Sequence, residues 1–191
     1  QVIGADVQGS TMMSESLAQY SALMVMERAY GRDKMKKLLA YELRSYLRGR
    51  ASERKKELPI SRGENQQYIH YNKGSLVFYA LREYLGEDVL NAALARYIRQ
   101  VANQPPPFTT SNDLIAILRE ATPPEKRHII EDLLETITLF DNKVLEASVA
   151  EKDGKFVVKL KLGARKLRAD ELGIETDIPV GDDIEVGIFA A

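Results

Sequence analysis

The chain has 191 residues, 45% hydrophobic and 29% charged, an ordinary globular composition with enough length for one domain or for one and a small second unit. Twenty-seven basic residues against 28 acidic ones give a net charge of −1, a balance that points to no nucleic-acid or polyanion partner. The lack of cysteine excludes a disulfide framework, a thiolate metal site and a cysteine nucleophile, and the longest apolar runs, such as residues 21–26 and 76–81, fall well short of the ~20 residues of a membrane helix.

Gln1-Val2-Ile3-Gly4-Ala5-Asp6 reads as structured sequence with no initiator methionine and no polar lead-in, and a fragment of a longer protein is expected. Residues 10–30 read as a helix, capped by Ser10 or Thr11 and stopped at Gly31. Met12, Met13, Leu17, Leu23, Met24, Val25 and Met26 are spread around its axis, the pattern of a buried helix. Glu15 lies inside it, stacked at helical spacing with Thr11, Ala18, Gln19 and Ala22, none of them a cation. A buried carboxylate calls for a cation, a hydrogen-bond network or a metal.

A second helix is expected from about Asp33, with Met35, Leu38, Leu39, Leu43, Tyr46 and Leu47 as its apolar stripe and Lys34, Lys36, Lys37, Arg44 and Arg48 largely off it. Residues 44–56 carry six basic side chains interrupted by Glu53 and Glu57, which reads as a solvated helix end. Residues 58–71 lose helical periodicity and are expected to form a long irregular loop. Further helices are expected over residues 75–86 and 87–101, then a short one capped by Thr110 or Ser111, then one from Thr122-Pro123-Pro124-Glu125 to about Thr136. After Phe140 the pattern becomes β: residues 144–151 and 155–162 flank Lys152-Asp153-Gly154, a hairpin signal, and a last strand is expected at 184–189. The fold class is mainly α (α+β), with a division between residues 1–141, a helical body, and 142–191, a small antiparallel β unit.

Only two histidines are present, and neither pairs with another at helical spacing, so the common zinc motifs cannot be read here. His128 lies among Glu125, Lys126, Arg127, Glu131 and Asp132, the setting of a surface residue, and His70 borders the loop, where packing or a backbone hydrogen bond accounts for it. Glu15 and Tyr71 remain. The first could be a metal ligand and the second a phenol donor to a developing oxyanion, since a hydroxyl with a pKa near ~10 stays protonated at working pH. The alternatives are a carboxylate bonded to a neighbouring helix end and a tyrosine in the core.

Ser14-Glu15-Ser16-Leu17-Ala18 resembles the Asn-Glu-Gly-Phe-Ala segment of the aminopeptidase N family of zinc metallopeptidases (gluzincins), and Tyr71-Asn72-Lys73-Gly74 is similar to that family's Tyr-x-Lys-Gly segment. The likeness runs through the helices to Asp141 and is closest to bacterial forms in which such a domain follows permease-like membrane segments. It implies the C-terminal half of a thermolysin-like catalytic domain, with Glu15 as third zinc ligand and Tyr71 as oxyanion stabiliser. Two departures stand beside Glu15, where Ser14 and Ser16 replace Asn and Gly. The family's His-Glu-x-x-His and Gly-x-Met-Glu-Asn segments are absent from this chain and are expected before Gln1. The implied parent is a zinc aminopeptidase acting on peptide substrates, possessing zinc that this fragment alone holds weakly at best, with no nucleic-acid partner and a membrane connection only through segments outside the chain. The implied parent location is the bacterial inner membrane, the fragment itself being soluble. The rival reading is a noncatalytic helical interaction module that keeps the peptidase fold.

Overall fold

The computed structural model describes Ile3 and residues 7–188. The helical unit opens with a π-helical turn, Met12–Ser16, that continues into α1, Leu17–Tyr30. Gly31, at φ 85°, turns the chain directly into α2, Arg32–Ser52, a conformation that residues with a side chain rarely adopt. A 3-10 turn, Ile60–Arg62, and a second π-helical turn, Tyr68–Lys73, lead into α3, Gly74–Leu85. α4 (Glu87–Val101) and α5 (Ser111–Ala121) follow. A short α6, Arg127–Ile130, lies between a 3-10 turn, Pro124–Lys126, and a third π-helical turn, Glu131–Glu135.

α3 is the centre of this unit. Val77, Phe78, Tyr79, Leu81 and Arg82 on it are buried, and it packs on α1, α2 and α4, with α5 laid against α4. Phe78, Leu81, Leu90, Tyr97, Leu114, Leu118, Ile130 and Leu134 form the fully buried interior. Arg82 is buried because Glu27 of α1 meets it in a forked pair, Nη1 to Oε1 and Nη2 to Oε2 both at 3.0 Å, while the Tyr79 hydroxyl donates to Oε2 at 2.7 Å. Bidentate geometry of this kind fixes the rotation of α1 against α3 as well as their separation. At α5, Asp113 Oδ2 accepts from the Thr110 amide at 2.7 Å and completes a capping box.

Two helical faces differ from the sequence reading. α1 is buried on one side only: Tyr20 and Leu23 are covered, whereas Ala18, Ser21, Ala22 and Val25 are exposed, so the apolar residues spread around its axis do not make it a buried helix. On α2 the covered residues are Met35, Glu42 and Tyr46, and Leu43 and Leu47 are exposed. Burial on α2 follows polar contacts of Glu42 and Tyr46 that an apolar count does not register. Residues 58–71 are also less irregular than expected. Their backbone is tied down by Gly9 N to Gly63 O (3.2 Å) and by Ser111 Oγ donating to Ser61 O (2.6 Å).

The second compact unit begins at Thr138. β1 (Ile137–Lys152), β2 (Lys155–Ala169) and β3 (Glu175–Ile178) form a three-stranded sheet in that order, and β3 runs antiparallel to β2 with Lys166 opposite Ile178 and Ala169 opposite Glu175. β1 thus starts inside the stretch read from sequence as the end of the helical body. Asp153 (φ 55°) and Gly154 (φ 71°) make the expected tight turn between β1 and β2. The last strand is not where the sequence reading puts it. Residues 184–188 are not in a strand, and Phe189 lies outside the described residues. The third strand forms earlier because Asp170 turns the chain back: its Oδ1 accepts from the amides of Leu172 and Ile174, both at 2.9 Å.

Candidate functional site

Glu15 lies in the first π-helical turn and Tyr71 in the second, and these two turns pack against each other. A π-helical turn closes on an i to i+5 hydrogen bond, so it shifts side chains out of the register that α-helical spacing assigns and is frequent at functional sites. Residues 56 positions apart are thereby brought together. Both are half-buried. The nearby Glu15 carboxylate holds the Tyr71 phenol above its ordinary pKa, with burial adding to the shift. It is a proton donor at neutral pH. Among the described residues no lysine or arginine pairs with Glu15, and Tyr71 is the titratable neighbour whose pKa its charge raises.

The contact between the turns is set by small atoms. Ser16 is fully buried, and its Oγ donates to the carbonyl of His70 at 2.6 Å, joining the neighbours of Glu15 and Tyr71. Gly74 leaves room for that serine: a Cβ there would stand 2.2 Å from Ser16 Oγ and 2.6 Å from Ser16 Cβ, with Ile60 Cδ1 at 3.2 Å. His70 is buried, its Nδ1 3.1 Å from the Glu64 carbonyl and its ring edge-on to Tyr71 at 4.7 Å. It is a packing wall for the phenol. His128 is exposed, with Nδ1 3.1 Å from the Glu125 carbonyl, as its charged surroundings imply. Gly74→Ala should therefore force the two turns apart and cost ~1–3 kcal/mol of stability. Urea unfolding followed by circular dichroism measures this, and restoration by adding Ser16→Gly would assign the cost to that contact.

Residues 8–137 match the Peptidase family M1 domain. The chain belongs to this family. No match was found among curated proteins or among solved structures. The matched M1 segment contains both π-helical turns of the site and all six α-helices, and it stops at the first residue of β1. Glu15 and Tyr71 therefore lie within the peptidase domain.

Two buried carboxylates in the M1 domain hold residues adjoining the pair, and neither stands out in the sequence. Glu42 of α2 is buried and accepts from Gln19 Nε2 at 2.9 Å and from Asn72 Nδ2 at 2.6 Å. Gln19 lies one helical turn beyond Glu15, and Asn72 follows Tyr71, so a single carboxylate ties together the two segments that carry the site. On the other side, Lys73 is buried with its Nζ 3.6 Å from Glu57 Oε1 and 5.4 Å from the centre of the Tyr46 ring. Glu57 also accepts from the Tyr46 hydroxyl at 2.9 Å and from Arg50 Nε at 2.8 Å. Burial holds the Lys73 ammonium below its usual pKa, with Glu57 opposing the shift. The Tyr-x-Lys-Gly likeness marks Lys73 in the sequence, but Glu57 reads there as one acid interrupting a basic run.

Proposed function

We propose that the chain is the C-terminal part of an M1 zinc aminopeptidase catalytic domain followed by a small β unit, and that Glu15 is a zinc ligand and Tyr71 the oxyanion-stabilising donor. The observation that carries this reading is the packing against each other of the two π-helical turns that hold Glu15 and Tyr71. A half-buried carboxylate that none of the described lysines or arginines pairs with suits a zinc site, because zinc takes carboxylate oxygen alongside imidazole nitrogen, commonly from about three protein ligands. One donor is a partial set. The remaining ligands and the general base are assigned to a His-Glu-x-x-His segment before Gln1, so the isolated chain is expected to be inactive and to hold zinc weakly. When bound, zinc supplies a Lewis acid for the scissile carbonyl and for water.

The chain's own groups have separable tasks. Glu15 offers a carboxylate lone pair while Ser16, anchored on His70 and Gly74, fixes its position. Tyr71 keeps its proton and presents it to the oxygen that gains charge as the carbonyl becomes tetrahedral. Glu42 orients the backbone on both sides through Gln19 and Asn72. The longer protein should release N-terminal residues from peptides with a free amine in a chelator-sensitive reaction. Comparing aminoacyl substrates with their N-acetylated forms tests this, and equal turnover of both would remove the aminopeptidase assignment. The rival, a noncatalytic module retaining the M1 fold, predicts no zinc-dependent turnover of either.

A further inference from the structure

Charge is strongly segregated in this near-neutral chain. Residues 32–56 hold ten basic residues against three acidic ones, a net +7, so the rest of the chain, at −1 overall, carries −8. Two of those three acids are already engaged. Glu42 is buried between Gln19 and Asn72, and Glu53 accepts from the amides of Arg54 and Lys55 and from Gln66. At 100° per residue, Lys34, Lys37, Arg44 and Arg48 fall on the arc of α2 opposite the buried Met35 and Tyr46, and all four are exposed. Tyr41 lies among them, 61% exposed, and Leu43 and Leu47 run along one margin at 46% and 48%. Arg54, Lys55 and Lys56, also exposed, extend the basic surface past the helix end.

We propose that this face of α2 docks on an anionic phospholipid surface. Ammonium and guanidinium groups alone would suit any polyanion, but exposed leucines gain nothing against a nucleic-acid backbone. A bilayer interface accepts both kinds of side chain, the cations at the headgroups, the leucines in the acyl boundary and a tyrosine between them. With 21 residues, α2 offers a docking edge of ~30 Å. This attachment is peripheral and needs no spanning segment; no described helix is long and apolar enough to cross a membrane. It does not depend on the peptidase reading.

Vesicle co-sedimentation of the whole chain tests the proposal, using phosphatidylcholine vesicles with and without about 30% phosphatidylglycerol. Binding should be at least ~10-fold stronger with the anionic lipid and should weaken as salt is raised. Lys37→Glu/Arg44→Glu/Arg48→Glu should lower binding ~10-fold or more, and Leu43→Ser/Leu47→Ser several-fold, with the helical circular dichroism signal retained. Should the charge-reversed protein fail to fold, Lys34→Gln/Lys37→Gln replaces it, with a weaker loss expected. Equal binding to neutral and anionic vesicles, no binding to either, or full binding by the charge variants would overturn the proposal. So would tighter binding to a short DNA duplex that the leucine variants leave unchanged.

Discussion

Tyr71→Phe in the longer M1 protein should lower kcat by ~100-fold or more, while KM changes little and zinc content is unchanged. The substitution removes one oxygen. The phenylalanine ring keeps the edge contact with His70, and Ser16 still anchors the adjoining backbone, so what is lost is the hydroxyl alone. A donor acting only on the tetrahedral oxygen affects the transition state and not substrate binding, which is why the loss belongs in kcat. Steady-state kinetics on wild-type and variant protein with equal metal content measures this. Turnover within about twofold of wild type would exclude the oxyanion role, given the cost usual for such a donor.

Glu57→Ala should destabilise the helical unit by ~3–5 kcal/mol, the largest stability effect expected of a single side chain near the site. The carboxylate is buried and serves three groups at once: the Tyr46 hydroxyl, Arg50 Nε and the Lys73 ammonium. Removing it leaves a buried cation with no opposite charge beside it and a buried hydroxyl with no acceptor, and that uncompensated burial is costlier than the pair itself is favourable. Glu57→Ala with Lys73→Met should recover most of the loss, because the methionine fills similar space without a charge. Unfolding by urea, read from the helical signal, compares the three proteins. A loss under ~1 kcal/mol for the single variant would show that Lys73 and Glu57 behave as a solvated surface pair. Since Lys73 ends the turn that carries Tyr71, the expected damage extends from stability to the position of the phenol.

Much of the helical layout was legible because its boundaries are written in local chemistry. Gly31 and Gly86 stop α1 and α3 at φ angles of 85° and 91°, Thr110 and Asp113 cap α5, and Asp153-Gly154 turns β1 into β2. Those signals act within a few residues. The candidate pair is marked in the sequence only by the order and spacing of two short motifs, and the packing of their segments is not, because π-helical turns use the same residue types as α-helices while shifting the register. Spacing at 3.6 residues per turn stacks Glu15 on Thr11, Ala18 and Ala22; the structure packs its turn against the one that carries Tyr71. Burial of charge was the other blind spot. Glu42 and Glu57 look like exposed acids in the sequence, yet both are buried because their partners come from distant or oppositely charged segments. On α2 the apolar spacing marks Met35 and Tyr46, which are buried, together with Leu43 and Leu47, which are exposed.

Glu15 is the residue on which the account rests, and the metal content of the longer protein with Glu15→Ala is its most direct test. The account predicts about one zinc per wild-type chain and an affinity at least ~100-fold weaker in the variant, with the fold retained, since loss of a ligand should exceed the 10–100-fold cost of losing a residue that merely orients one. Zinc bound by the variant at wild-type stoichiometry and affinity would contradict it and leave Glu15 without a role at the metal.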